Sequence, residues 1–409
     1  MLLFRNARLI DGTSKTAAPG TDVLIEGGTI REVSGKPIKS RAAQTIDLRG
    51  KTLMPGLIDC HVHVVATMAN LARNAAMPTS FQALKSVEVM SGMLMRGFTT
   101  VRDASGADFG LKMAVDEGLF RAPRLFISGK SLSQTGGHGD LRGRFDDRDF
   151  CLCHARVGLL ARVADGVDAV RKAAREEIKG GADFIKIMAS GGVASPTDPI
   201  DFLGYSRDEI EAIVEECANS KTYVAAHAYT AEAIARAVEC GVRTIEHGNL
   251  VDAATAKLMA RKGAFAVPTL VTYDALANEG AALGLPPESV AKIENVRGAG
   301  LRSLEIFRKA GVKMAFGSDL LGEMHRHQST EFAIRARVLP AHEVIASATS
   351  VAAELLRMEG KLGAIAPGAF ADLLVVDGDP LKDIGVLTGQ GEHLLAIMKG
   401  GAFVKNALA

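Results

Sequence analysis

The pattern of apolar positions changes character twice along the 409-residue chain. From Met1 to about Pro55 it consists of short runs: Leu2-Leu3-Phe4, Ala7-Arg8-Leu9-Ile10, Asp22-Val23-Leu24-Ile25, Thr29-Ile30-Arg31-Glu32-Val33 after Gly27-Gly28, and Thr45-Ile46-Asp47-Leu48. Short β-prone runs between turn residues predict a small antiparallel sheet. The other end reads alike, with Gly363-Ala364-Ile365, Ala371-Asp372-Leu373-Leu374-Val375-Val376-Asp377, His393-Leu394-Leu395-Ala396-Ile397-Met398 and then Gly401-Ala402-Phe403-Val404. Residues 1–55 and 357–409 are therefore expected to build one composite β domain around a central domain of residues 56–356.

In that central stretch, short apolar runs alternate with helical ones. The expected strands are Leu57–His63, Thr99–Asp103, Leu125–Ser128, Phe184–Met188, Tyr223–Ala228, Thr244–His247, Ala264–Pro268 and Lys313–Asp319. Apolar spacings of three and four predict helices over Ser80–Met95, Asp165–Lys179, Asp208–Asn219, Thr230–Cys240, Ala253–Arg261 and Val290–Lys309. Eight strands alternating with helices fit an α/β (β/α)8 barrel. An open doubly wound sheet is the alternative, but the first βα turn carries no G-x-G-x-x-G for a dinucleotide.

A barrel directs attention to the C-terminal ends of its strands, where active sites of this architecture lie. His61 and His63 share a face of the first strand, because side chains two apart on a strand point the same way. Arg102 and Asp103 follow the second strand, Lys186 sits in the fourth, His227 and Tyr229 end the fifth, His247 the sixth and Asp319 the eighth. Of ten histidines, four fall at expected strand ends. Imidazoles converging on one point suit a divalent metal. Lys186, in Phe184-Ile185-Lys186-Ile187-Met188, is an ammonium in an apolar strand and would be costly to bury. Either it snorkels to a carboxylate, or it is a neutral amine that takes up carbon dioxide as a carbamate able to bridge two metals. Asp319 is either a helix N-cap or a metal ligand that also handles a proton.

Composition narrows the partners. With 48 basic and 47 acidic residues the net charge is +1, so no global field favours nucleic acid or an anionic membrane. No apolar run is long enough to span a bilayer. The start, Met-Leu-Leu-Phe-Arg-Asn-Ala-Arg, lacks the apolar core of a signal peptide. Five cysteines without framework spacing fit a reducing compartment, and a cytoplasmic location is expected. Cys151-Leu152-Cys153-His154 has no second cysteine pair to complete a structural zinc site. His325 and His327, in the loop after the eighth strand, are spaced like ligands but belong to a substrate-facing or solvent-facing segment.

The set His61-Val62-His63, Lys186, His227, His247 and Asp319, in that strand order, resembles the amidohydrolase superfamily in its binuclear form. The resemblance covers nearly the whole chain, including a β-sandwich split between the termini. It implies that His61, His63 and Asp319 hold one metal and His227 and His247 the other, bridged by a carboxylated Lys186 and a hydroxide. Zinc is the expected metal, with manganese or cobalt as alternatives. The deaminases of this superfamily carry a glutamate close after the histidine of the fifth strand. This chain reads His227-Ala228-Tyr229-Thr230 there, which disfavours deamination.

Within the superfamily the chain is similar to the group of Xaa-Pro dipeptidases (prolidases) and Xaa-Arg or Xaa-Lys dipeptidases and carboxypeptidases. The motifs are Ser133-Gln134-Thr135-Gly136-Gly137-His138-Gly139-Asp140, Lys186-Ile187-Met188-Ala189-Ser190-Gly191-Gly192 and His227-Ala228-Tyr229-Thr230. The resemblance implies that His138 and Tyr229 contact the substrate, Tyr229 at its terminal carboxylate; His138 could instead be a loop residue bonded to its own backbone. Arg142 and Arg144 could meet a carboxylate or form an exposed basic loop. A basic leaving residue would need an acidic partner, for which Asp140, Asp198, Asp201 and Glu323 are candidates. A proline ring needs only an apolar slot, for which Val193, Ile200, Phe202 and Leu203 are plausible lining. The expected activity is hydrolysis of an Xaa-Pro dipeptide, with Asp319 and His138 as catalytic groups and a homo-oligomeric assembly. A cyclic amidohydrolase of the imidazolonepropionase kind and a non-catalytic binding protein are the alternatives.

Overall fold

The computed structural model describes residues 1–146, 157–195 and 197–408. Cys151, Cys153 and His154 lie outside the described residues. The strands are β1 (Leu2–Leu9), β2 (Ala18–Glu26), β3 (Thr29–Ser34), β4 (Gln44–Asp47) and β5 (Thr52–Pro55), then β6 (Leu57–Val62), β7 (Phe98–Asp103), β8 (Arg124–Ile127), β9 (Ser131–Ser133), β10 (Ala161–Val163), β11 (Ile185–Met188), β12 (Val224–Thr230), β13 (Thr244–Leu250) and β14 (Phe265–Val267), and finally β15 (Leu373–Val376), β16 (Leu394–Lys399) and β17 (Ala402–Asn406).

Strands from both ends of the chain share one sheet, ordered β17-β16-β15-β5-β1-β2-β3, with β4 also against β1. It is mixed rather than antiparallel, because β1 runs parallel to both β4 and β5. Local turn signals report hairpins such as β1-β2 but not the crossover that returns the chain parallel to β1. Alternation along β15 assigns its faces. Leu373 and Val375 pack with Phe4, Val23 and Leu53 inside the sheet's own curl, whereas Leu374 and Val376 join the barrel core. Phe4 of β1 meets Phe403 of β17 edge to face at 6.3 Å, so the sheet closes on itself as a sandwich does.

The barrel strands are parallel throughout, in one sheet β6-β7-β8 and another running β9-β11-β12-β13-β14, with β10 on the outer side of β9. β8 and β9 are two parts of the third barrel strand, and the Asp183 amide donating to the Ile127 carbonyl at 2.7 Å joins it to the fourth. The eighth strand has few ladder bonds of its own, and its residue Met314 bridges Ala266. It nevertheless closes the ring, since the Cys60 amide donates to Phe316 at 2.8 Å and the Asp319 amide to His61 at 2.8 Å.

Five of the expected helices appear close to their expected limits, as Thr79–Met95, Val167–Lys179, Arg207–Asn219, Ala231–Glu239 and Ala253–Lys262. The single helix expected over Val290–Lys309 is instead two, Pro287–Arg297 and Gly300–Ala310. Glycine at 298 and 300 weakens a helix there. A Cβ at Gly300 would also come within 3.0 Å of Leu270, so the break lets two segments approach closely. Among the described residues no helix is long and apolar enough to cross a membrane.

Candidate metal centre

The Asp319 carboxylate is the hub of the strand-end cluster. Its Oδ1 lies 3.4 Å from His61 Nε2 and 3.1 Å from His63 Nε2, and its Oδ2 lies 3.9 Å from His247 Nδ1. Ligand atoms of His61, His247 and Asp319 all fall within 4.8 Å of one another. The His227 ring centroid is 4.7 Å from that of His247, and Lys186 lines the same cavity. The parallel register of β11, β12 and β13 produces this, setting Met188 beside His227 and Ala228 beside His247. The backbone is also strained here: His247 has φ 70° and Asp319 φ 53°. Residues with a Cβ adopt that region at a cost of about 1–2 kcal/mol, and such strain gathers at functional sites.

The donor set fits divalent metal. His63 Nδ1 is 3.1 Å from the Ser105 carbonyl and His227 Nε2 is 3.1 Å from the Gly191 carbonyl. A carbonyl only accepts, so those nitrogens carry the proton, and the ligand candidates are the opposite ones, His227 Nδ1 and His63 Nε2, the latter beside Asp319 at 3.1 Å. His61 Nδ1 is held by Glu246 Oε2 at 2.7 Å, and His247 Nδ1 by Thr269 Oγ1 at 2.8 Å. Burial holds both His227 and His247 well below the ordinary imidazole range, in the neutral form a ligand needs. Burial alone would push the Asp319 carboxyl up, but the imidazoles of His61 and His63 outweigh it and keep the group ionised.

Lys186 is 2% exposed and makes no hydrogen bond or ion pair among the described residues. It does not snorkel to a carboxylate. Burial pushes its ammonium down to about 8, toward the neutral amine.

Several supporting residues had only faint signals in the sequence. Glu246, fully buried, accepts both a contact from His61 and two 2.8 Å bonds from Arg102 Nη2. Its one local clue is a carboxylate in the apolar run Thr244-Ile245-Glu246. Burial would raise its carboxyl, but Arg102 and His61 hold it well below the usual range. Ser105, Thr269 and Tyr273 carry no local pattern at all. Tyr273 donates to the Tyr229 hydroxyl at 2.9 Å.

Tyr229 and His138 both line the cavity, Tyr229 because β12 continues past His227. The His138 ring stacks on His227 at 4.2 Å and 18°. Its partner is Ser195 Oγ, 2.7 Å from Nδ1, and not its own backbone. Most of the rest of the lining is apolar, including Leu71, Leu141, Leu160, Val193 and Leu276, with Ser105 and Thr272 as polar exceptions. Among the described residues Asp319 is the only carboxylate that lines it.

Other expectations for the substrate slot are corrected. Phe202 is 58% exposed, Leu203 bridges Ser190, and Ile200 borders a separate recess. Asp140 is paired with Arg142, Asp198 is engaged by its own loop, His138 and Lys292, and Asp201, Glu323 and Arg144 are exposed. His325 is buried against the Ala66 carbonyl at 3.1 Å and burial pushes it down to about 3, while His327 contacts Glu279 at 2.5 Å.

A sequence profile of the Amidohydrolase family matches residues 52–402. The crystal structure of an amidohydrolase superposes with a TM-score of 0.98 at 61% identity and covers 100% of both chains. That of a prolidase complexed with N-methylphosphonate-L-proline does so with a TM-score of 0.98 at 57% identity over 99% of each chain. Ochratoxinase of Aspergillus niger is 31% identical over 370 residues, 88% of this chain and 76% of that protein.

Proposed function

This chain belongs to the amidohydrolase family, and from that premise we propose that it is a metal-dependent dipeptidase cleaving Xaa-Pro. The observation that carries the specificity is the cavity wall. Beyond the histidines and Lys186, the wall is mainly apolar side chains and two tyrosines, and Asp319, already ringed by imidazoles, is the single lining carboxylate among the described residues. An arginine or lysine side chain would lie there without a counter-charge, at a cost of several kcal/mol, whereas a proline ring needs none. The likeness to a prolidase at 57% identity supports the same choice.

In this reading His61, His63 and Asp319 would hold one divalent ion and His227 and His247 the second, and Lys186, as its carbamate, would supply a further anionic oxygen ligand. Zinc suits such imidazole-rich donors. When bound, the metal pair activates water at neutral pH and polarises the scissile carbonyl. Asp319 takes the proton from the attacking water and delivers it to the prolyl nitrogen, which leaves as a secondary amine. Tyr229 accepts from Tyr273 and so keeps its own proton to donate to the substrate carboxylate. His138, stacked on His227, contacts the substrate beside it. Residues 1–55 and 357–409 form the frame from which the barrel of residues 56–356 begins and ends.

A dipeptide screen with zinc-, manganese- and cobalt-loaded protein tests this. Xaa-Pro hydrolysis is expected, with about two metal equivalents per chain. Cleavage of Xaa-Arg and Xaa-Lys alone would overturn the specificity. No hydrolysis together with less than one metal equivalent would overturn the enzymatic reading.

A further inference from the structure

Lys292 lies on the helix Pro287–Arg297, after the seventh barrel strand, yet its ammonium is spent on the loop after the fourth. Nζ donates to the carbonyls of Gly192 at 3.0 Å, Ser195 at 2.9 Å and Asp198 at 2.6 Å, and stands 3.8 Å from Asp198 Oδ1. An ammonium has three protons, and each meets one carbonyl of the same turn. Inside the turn, Asp198 accepts from the Gly192 amide at 2.9 Å and from the Ser195 hydroxyl. Ser195 Oγ is in turn 2.7 Å from His138 Nδ1, and Asp198 Oδ2 is 3.3 Å from the same nitrogen. A Cβ on Gly192 would fall 2.1 Å from His138 Cε1, so the imidazole lies directly on that backbone. Its other face is stacked on His227.

We propose that Lys292 is a positioning residue for hydrolysis: by gathering the turn of Gly192, Ser195 and Asp198 it fixes His138 against His227. This rests on the reading that His138 contacts the substrate. Among its described residues the turn has no helix or strand, and beside the Asp198 bonds within it the ammonium is what draws the three carbonyls, which would repel one another, to one point. A single helix face after strand 7 thereby sets the geometry of a side chain from the loop after strand 3. Displacing a substrate-contacting group by about 1 Å costs on the order of 100-fold.

The test is a double-mutant cycle on kcat/KM for Xaa-Pro, run with metal-loaded protein. Lys292→Met is expected to lower kcat/KM by about 10- to 100-fold. In a His138→Asn background the same substitution is expected to change it by less than about twofold, because coupled residues are not additive. A parallel cycle with Ser195→Ala, which removes the 2.7 Å link to the ring without touching the carbonyls and leaves the 3.3 Å contact of Asp198, is expected to show a partial loss of additivity and supplies the readout where His138→Asn is too slow. Should Lys292→Met not fold, Lys292→Gln, which can still donate to two carbonyls, takes its place with a smaller loss. Equal losses in both backgrounds, or no loss in the single variant, overturn the proposal. Absence of Xaa-Pro hydrolysis by the unmutated protein instead overturns the functional reading, so the two failures are distinct.

Discussion

Asp319 combines two demands at one residue, a left-handed backbone and a carboxylate ringed by imidazoles. Asparagine tolerates that backbone, so Asp319→Asn removes the proposed proton acceptor without releasing the strain. Turnover is expected to fall at least about 100-fold, the scale of acid–base catalysis. Thermal stability should stay close to wild type and most metal should be retained, read by kinetics, melting and metal analysis. Near-normal turnover would deny Asp319 the proton role. The residues gathered around it were legible because each histidine ends an apolar run, a pattern visible within a few positions. Glu246 was not, because its value lies in His61, 185 residues away. Ser105 and Thr269 were equally silent: a hydroxyl or carbonyl that orients an imidazole is chosen by the fold and leaves no spacing to read. The slot was misjudged for the same reason, since Phe202 looked like lining and is solvent-facing.

The barrel's alternation of strand and helix was legible because burial on both faces makes parallel strands near-continuous apolar runs. The eighth strand was expected too, over Lys313–Asp319, but not that it would close the ring by scattered bonds instead of a ladder. Asp59 shows what secures that seam. Wholly buried on β6, it accepts from the His61 amide at 3.0 Å, the Ser318 amide at 3.2 Å, Ser318 Oγ at 2.6 Å and Gln328 Nε2 at 2.8 Å. Two of these donors belong to Ser318, next to Asp319, so one carboxylate ties the two strands that carry His61 and Asp319. Each buried donor left without a partner costs about 1–3 kcal/mol. Asp59→Ala is therefore expected to lose about 3 kcal/mol or more in urea unfolding, while Asp59→Asn, with one acceptor retained, loses less. Equal stability of the alanine variant would show that the seam is held elsewhere.

At the scale of the molecule, the two chain ends and the barrel are mechanically one object. β5 leads into β6 through Gly56 alone, and the Gly56 amide donates to the Asp372 carbonyl at 2.8 Å, next to β15. The strand that presents His61 therefore starts from a sheet completed only by the last segment of the chain. Sequence patterns showed that both ends were strand-rich but not that β15 would pair antiparallel with β5. Leu394 and Ile397 of β16 lie in the barrel's core cluster, and Met398 faces the sheet's own interior. Losing three such buried side chains removes about 5–9 kcal/mol of burial, against a total stability of about 5–15 kcal/mol for a typical protein. A chain ending at residue 392 also leaves β15 with an open edge, which invites aggregation. It is expected to be insoluble or to lack a cooperative melt and activity, although every proposed ligand is still present. If the truncated chain instead melts cooperatively and binds metal, the barrel folds without its terminal sheet. The single-residue connection at Gly56 would then be a covalent tether and not the seat of the first metal-binding strand.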